Sequence, residues 1–281
     1  MKTLLFALAV AAATRQFLDS SVPYPYRTCA ECVVLESGRA RCAVETFGAR
    51  VVSFTIDGRE LLWGQDNGVS EKPKLGEVWR HGGIPLAWPW FGRIGAGDCD
   101  IHGYAWYSPF AVKSRAADAL TLLLDTGSLE LEYVVRIVDD RLVLMAKTTN
   151  RSNFAHPFSV AFHPYFRVED LARSKIGGVS DAPLIVTNAI DSSVNYMTPQ
   201  RRREFVLDDV ARGCRLAIAS EGLTGVNVWN PGAKKKCPGF IPGDEWRHFV
   251  AVEPFARGVN RFSVLPPGAS STLTMEVGER K

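Results

Sequence analysis

The chain has 281 residues, 46% of them hydrophobic and 22% charged, a globular composition long enough for one large core or two small ones. A formal charge of +3 excludes the dense cationic field of a nucleic-acid-binding protein, and the short runs Arg201–Arg203 and Lys234–Lys236 read as solvated loops. No internal repeat or low-complexity linker divides the chain, so residues 20–281 are expected to form a single domain.

The N-terminus reads MKTLLFALAVAAATRQ. Lys2 supplies a positive start, Leu4–Ala13 an apolar run, and Ala11-Ala12-Ala13 a small-residue cleavage site. This pattern predicts a secretory signal peptide over residues 1–13, too short to span a bilayer. The mature chain is then expected to be secreted or periplasmic, with no membrane anchor; the alternative is a cytoplasmic chain. Cys29, Cys32, Cys42, Cys99, Cys214 and Cys237 follow, an even number that permits disulfides in an oxidising compartment. Cys29-Ala-Glu-Cys32 has no second CxxC or HxxxH to complete a zinc site, so a structural disulfide or plain packing is the reading and no metal is expected.

Short β-rich runs come next: Arg41–Glu45, Arg50–Ile56 and Glu60–Trp63, with Asp57-Gly58 as a hairpin turn between the last two. His81–Phe110, HGGIPLAWPWFGRIGAGDCDIHGYAWYSPF, then mixes tryptophans, histidines, prolines and glycines too irregularly for a strand or helix. Ala119–Asp125, Leu129–Val138 and Leu142–Thr149 alternate clearly, with Asp139-Asp140 as a turn. Val160–Arg167, Leu184–Asn188, Leu216–Ala219, Val226–Trp229, Phe249–Glu253 and Ser271–Val277 complete the set. Helical periodicity is nearly absent. The expected fold is all-β, a large antiparallel β-sandwich.

The titratable candidates fall at strand ends. His102 sits in IHGYAW, His163 in AFHPYFRV and Glu253 in FVAVEPF. Aromatic and apolar neighbours desolvate such groups, raising a carboxylate pKa and lowering that of an imidazole. One Glu and two His shifted in this way suit general acid–base chemistry. The competing readings are hydrogen-bonded core histidines, an edge glutamate, and a His/His/Glu metal site that lacks any HExxH spacing.

HGGIPLAWPWFG, HGYAW, HPYFRV, VWNP and FVAVEP resemble, in that order, RGGIPxxWPxFG, HGFAR, HxYF, VWNP and VCVEP of the galactose mutarotase-like superfamily. The likeness is greatest to its hexose-6-phosphate 1-epimerase branch and runs from FGARVVSFTIDGRELLWG to LPPGASSTLTMEV. It implies the large antiparallel sandwich again, and an isomerase that interconverts α and β aldose anomers. By this resemblance His163 is the general acid, Glu253 the general base and His102 a second imidazole at the ring oxygen. The base removes the C1 hydroxyl proton while the acid protonates the ring oxygen, from opposite sides of the substrate. No cofactor is required. Trp88, Trp90 and Trp106 are expected to stack on a pyranose face.

Two departures bear on the substrate. The arginine before GGIP is His81, although Arg80 is adjacent, and the arginine ending HGFAR is Trp106. Neither side chain replaces a bidentate guanidinium. Their loss, with the signal peptide, points to an unphosphorylated sugar as the small-molecule partner. Arg80 or Arg93 would hold a phosphate in the alternative, a glucose-6-phosphate 1-epimerase. The acidic positions of the pattern are loosely matched by Asp191 and Asp244. The remaining alternative is a carbohydrate-binding sandwich without turnover.

Overall fold

Alternation builds the long strands. Leu129–Val138 buries Leu129, Leu131, Tyr133, Val135 and Ile137 and turns the intervening residues outward. It pairs with Arg141–Asn150 through Asp139 and Asp140, both at positive φ, as a two-residue hairpin requires. The computed structural model describes residues 32–64, 81–94, 101–181, 183–185, 194–198, 200–232, 241, 243–258 and 261–280. The expected signal peptide, Cys29, Cys99, Cys237, Arg80 and Asp191 lie outside these residues.

A nine-stranded antiparallel sheet runs in the order Leu184–Ile185, Ser174–Gly177, Arg202–Asp209, Cys214–Glu221, Ser270–Glu279, Arg141–Asn150, Leu129–Val138, Ala119–Asp125, Ala111–Arg115. A six-stranded sheet runs Val194–Met197, Gly225–Trp229, Phe249–Ala256, Val160–Phe162, Leu86–Ala87, with Tyr165–Arg167 also pairing Phe249–Ala256. Cys32–Ser37, Ala40–Glu45, Val51–Ile56 and Arg59–Glu60 form a four-stranded sheet, and His156–Phe158 pairs Ser263–Leu265. These sheets share one apolar core, to which Leu144, Val252, Phe54 and Met275 all contribute. The architecture is the all-β sandwich expected from the sequence.

The six-stranded sheet positions the site. Phe249–Ala256 is buried on both faces. Val250, Val252 and Ala256 enter the shared core, whereas Phe249 and Phe255 pack in separate clusters on the other face. Gly225–Trp229 alternates likewise, Val226 and Val228 facing the core. The expected single strand Val160–Arg167 is two, Val160–Phe162 and Tyr165–Arg167. Pro164 has no N–H to continue the ladder.

Ala111–Arg115 and Arg202–Asp209 were not legible as strands in advance. The first is exposed throughout, and the second holds only the short apolar run Phe205-Val206-Leu207 between charged residues. Cys42 and Cys214 are buried free thiols rather than disulfide partners, and burial raises the pKa of each. Among the described residues no helix is long and apolar enough to cross a membrane.

Candidate active site

The register around Phe249–Ala256 brings three polar side chains into a row. Ala161 pairs with Phe255 and Tyr165 with Ala251, so His163, midway at the break, stands level with Glu253. On the other side Asn227 pairs with Glu253 directly. All three turn away from the shared core because their strand neighbours Phe162, Val226 and Val252 enter it.

His163 Nε2 lies 3.5 Å from Glu253 Oε2. Glu253 Oε1 accepts a 2.8 Å hydrogen bond from Asn227 Nδ2. Glu253 is 0% exposed and His163 4%. Burial pushes the Glu253 carboxyl well above its ordinary range, while the Asn227 hydrogen bond and the Arg257 charge pull the other way. Burial, then the neighbouring His102 and His81, pushes His163 well below its own. The pair is therefore most stable uncharged, with its shared proton on the carboxyl.

These groups line a cavity of about 400 Å³ that also takes in His81, His102, Tyr165 and Trp229. Its size falls within the range of small-molecule sites. His102 reaches it from a left-handed backbone, at φ 61°, followed by Gly103 at φ 73°. Its Nδ1 accepts from the Gly92 N–H at 3.2 Å, which leaves the ring proton on Nε2. Burial, His81 and Arg93 lower its pKa to about 3. His102 is thus a neutral donor, edge-on to His163 at 5.2 Å. His81 lies parallel to Trp229 at 5.9 Å, and its Nδ1 is 2.8 Å from the Tyr165 hydroxyl. Burial lowers its pKa to about 4.

Gly83 and Gly103 allow close packing of the segment His81–Phe110. A Cβ on Gly83 would stand 2.2 Å from the Val51 carbonyl oxygen, and one on Gly103 2.1 Å from that of Trp88. At Gly83 the irregular segment is pressed against the strand Val51–Ile56 and at Gly103 it folds back on itself at Trp88; it delivers His81, Arg93 and His102 to the cavity.

The three tryptophans expected to face the sugar do not line the cavity. Trp88 has the parity of Leu86 and enters the shared core, where its Nε1 donates to Thr148 Oγ1 at 3.0 Å. Trp90 is buried edge-on against Tyr104. Trp106 donates to the Gly103 carbonyl and borders a separate small void with Glu45 and Arg50. Asp244 is exposed, 3.9 Å from Arg247, and lies away from the cavity. The cavity's indole is that of Trp229, which sequence reasoning missed along with Tyr165, Asn227, Arg257 and Arg261. Parity could have found Asn227 and Trp229, since each alternates with a core valine. Among the described residues no cluster of His, Cys, Asp and Glu is arranged to hold a metal ion.

The aldose 1-epimerase family model matches residues 31–189. The "Putative glucose-6-phosphate 1-epimerase" of Escherichia coli (strain K12) is 26% identical over 247 residues, covering 79% of this chain and 82% of that protein. A protein of the same name from Cenchrus ciliaris is 27% identical over 275 residues, covering 85% and 81%. Among solved structures, a "putative mutarotase" from Salmonella typhimurium superposes with a TM-score of 0.71 at 22% identity, covering 89% of this chain and 90% of that one. A galactose mutarotase related enzyme from Lactobacillus acidophilus gives 0.69 at 15%, covering 89% and 98%. At these identities the structural likeness is one of fold. The family match spans more than half of the sequence, and with it the chain belongs to the aldose 1-epimerase family.

Proposed function

We propose that the chain is a mutarotase that interconverts the α and β anomers of an aldose in this cavity, with Glu253 and His163 as its acid–base pair. The observation that carries the reading is the 3.5 Å approach of His163 Nε2 to Glu253 Oε2 on a buried sheet face. A hemiacetal carries its hydroxyl and its ring oxygen on one carbon. Groups that serve both oxygens can be neighbours, as these two are.

Glu253 takes the proton from the C1 hydroxyl as His163 gives one to the ring oxygen. The C1–O5 bond breaks and C1 becomes a carbonyl. The C1–C2 bond then rotates, and closure returns both protons. The step runs from the charged form of the pair, Glu253 ionised and His163 protonated; after opening, Glu253 is protonated and His163 neutral, the protonation that burial favours. The Asn227 hydrogen bond supports the ionised carboxylate before opening. His102 Nε2–H supplies a neutral hydrogen bond to a sugar oxygen. Positioned proton transfers of this kind contribute about 10²–10⁴-fold each. Trp229 and Tyr165 offer the aromatic wall.

Polarimetry or proton NMR of freshly dissolved α-glucose, α-galactose and α-glucose 6-phosphate tests the reading. Acceleration of at least one equilibration, lost in Glu253→Gln, is expected. A binding protein without turnover would accelerate none.

A further inference from the structure

Three guanidinium groups, of Arg93, Arg257 and Arg261, border the cavity. Arg257 directly follows the strand Phe249–Ala256. It shares parity with Glu253 and Phe255, four residues and roughly 13 Å of extended chain beyond the carboxylate. Its guanidinium lies over the Phe255 ring at 4.4 Å and near that of Phe91 at 5.6 Å. It donates to Asn195 Oδ1 at 3.0 Å. Arg261, at φ 71°, donates to the Arg93 carbonyl at 2.8 Å.

Both acceptors are neutral. Among the described residues neither Arg257 nor Arg261 is ion-paired with a carboxylate. Burial and the charge of Arg261 both act against the protonated form of Arg257. Arg257 is half-buried and Arg261 exposed; Glu253 attracts Arg257, and aromatic rings and neutral oxygens offset the remaining repulsion between the two like charges only in part. An anion entering the cavity would compensate both at once.

We propose that Arg257 and Arg261 form an anion subsite that holds a negatively charged exocyclic group of the sugar, a phosphate ester or a carboxylate, while the anomeric centre meets His163 and Glu253. The inference rests on the reading of the cavity as a sugar site. Sequence comparison looks for such a subsite at His81 and Trp106. Trp106 does not line the cavity, and His81 is a neutral ring tied to Tyr165. The cationic wall comes instead from the far end of the strand that carries Glu253.

The test measures kcat/KM for anomer exchange of glucose 6-phosphate, glucuronate and glucose by NMR, and calorimetric binding of the same three sugars. At least one anionic sugar should exceed glucose tenfold or more, since charge-assisted bidentate contacts are the strong ones. The two anionic arms identify the group. In Arg257→Gln and Arg261→Gln the anionic-to-neutral ratio should fall at least tenfold, mainly through KM. Arg257→Lys should fall in between, because it keeps the charge without the fork, and it serves if the Gln variants fail to fold by circular dichroism. The subsite is overturned, and the mutarotase reading stands, if glucose is turned over and neither anionic sugar binds or reacts better. The reverse holds if no sugar is turned over while anionic sugars bind more tightly than glucose through these arginines.

Discussion

His163 and Glu253 are level with one another across two antiparallel strands, and their side chains approach to 3.5 Å where the strand segments on either side of Pro164 meet. The pairing is a consequence of register, not of proximity in sequence. Removing either group should abolish most of the rate. Glu253→Gln keeps the shape and can still accept from Asn227, but it cannot take a proton. A loss of 10²-fold or more in kcat is expected, with far-ultraviolet circular dichroism unchanged. His163→Asn should lose a similar factor, and the double variant little more than either single one, because groups acting as a unit are not additive. Additive losses would show that the two do not share one step.

Asn227 should set the charge state of Glu253. Its amide is the hydrogen-bond donor that favours the ionised carboxylate. Asn227→Ala removes the donor, so the carboxyl pKa, already raised by burial, should rise further. The base-dependent limb of the kcat–pH profile should then move to higher pH, and activity lost at neutral pH should be partly regained above it. Folding stability should fall by about 1–3 kcal/mol from the buried oxygen left unsatisfied. Loss of stability without movement of the limb would assign Asn227 a purely structural part.

The long strands were legible because alternation or a continuous apolar run marks them. Leu129–Val138 shows the first and the site strand Phe249–Ala256 the second, the latter being covered on both faces. Aromatic and apolar surroundings marked the titratable trio as candidates and the family resemblance singled them out; the structure places all three on one cavity. The aromatic wall was not. Trp88 and Trp106 stand out by residue type, yet which face a side chain takes depends on strand parity, and parity cannot be counted through the turns of His81–Phe110. Arg257 and Arg261 look like ordinary loop charges until the structure shows both bordering the cavity.

Trp229 rather than Trp106 should govern sugar affinity. Trp229→Leu removes the broad ring from the cavity and should raise KM about 2–10-fold, the range of a stacking contact worth ~0.5–1.5 kcal/mol. Trp106→Phe, which lies at a separate void, should change KM by less than about twofold. Quenching of tryptophan fluorescence by saturating sugar should be reduced in Trp229→Leu and preserved in Trp106→Phe. The opposite ranking would restore the expectation drawn from residue type.

The turn that carries His102 should tolerate no added carbon at Gly103. The backbone there is left-handed, and a Cβ would meet the Trp88 carbonyl oxygen at 2.1 Å. Backbone cannot yield as a flexible side chain can, so Gly103→Ala should cost about 2 kcal/mol or more and displace His102 with it. Gly58 is also at positive φ, but nothing stands within 4 Å of its Cβ position. Gly58→Ala should therefore show only the smaller backbone strain. Urea unfolding of both variants measures the difference, and equal losses would mean that the close approach at Gly103 is not the cause.

Stability in acid should depend on His81. Burial lowers its folded pKa from 6.5 to about 4, so the unfolded chain binds this proton more readily than the folded one. A depressed folded pKa gives stability that is present above the unfolded value, near pH 6.5, and is lost as pH falls through 4. The contribution is about 3 kcal/mol at most, from 1.36 kcal/mol per pKa unit. The ring meets Tyr165, which hydrogen-bonds it, and Trp229, which stacks on it; neither gains a charge over this range, and the neighbouring His102 and His163 are held neutral by their own lowered pKa values. Glu253 works in the opposite direction, because its folded pKa is raised by burial and its stability contribution is present in acid and lost as pH rises. The two must be separated by substitution. His81→Gln removes the imidazole proton while leaving Glu253 in place. The stability of the wild type relative to this variant should decline steadily from pH 7 to pH 4 in urea titrations, flattening only near the lower end. A difference that stays constant over that range would place His81 in contact with water and return its pKa to the ordinary value.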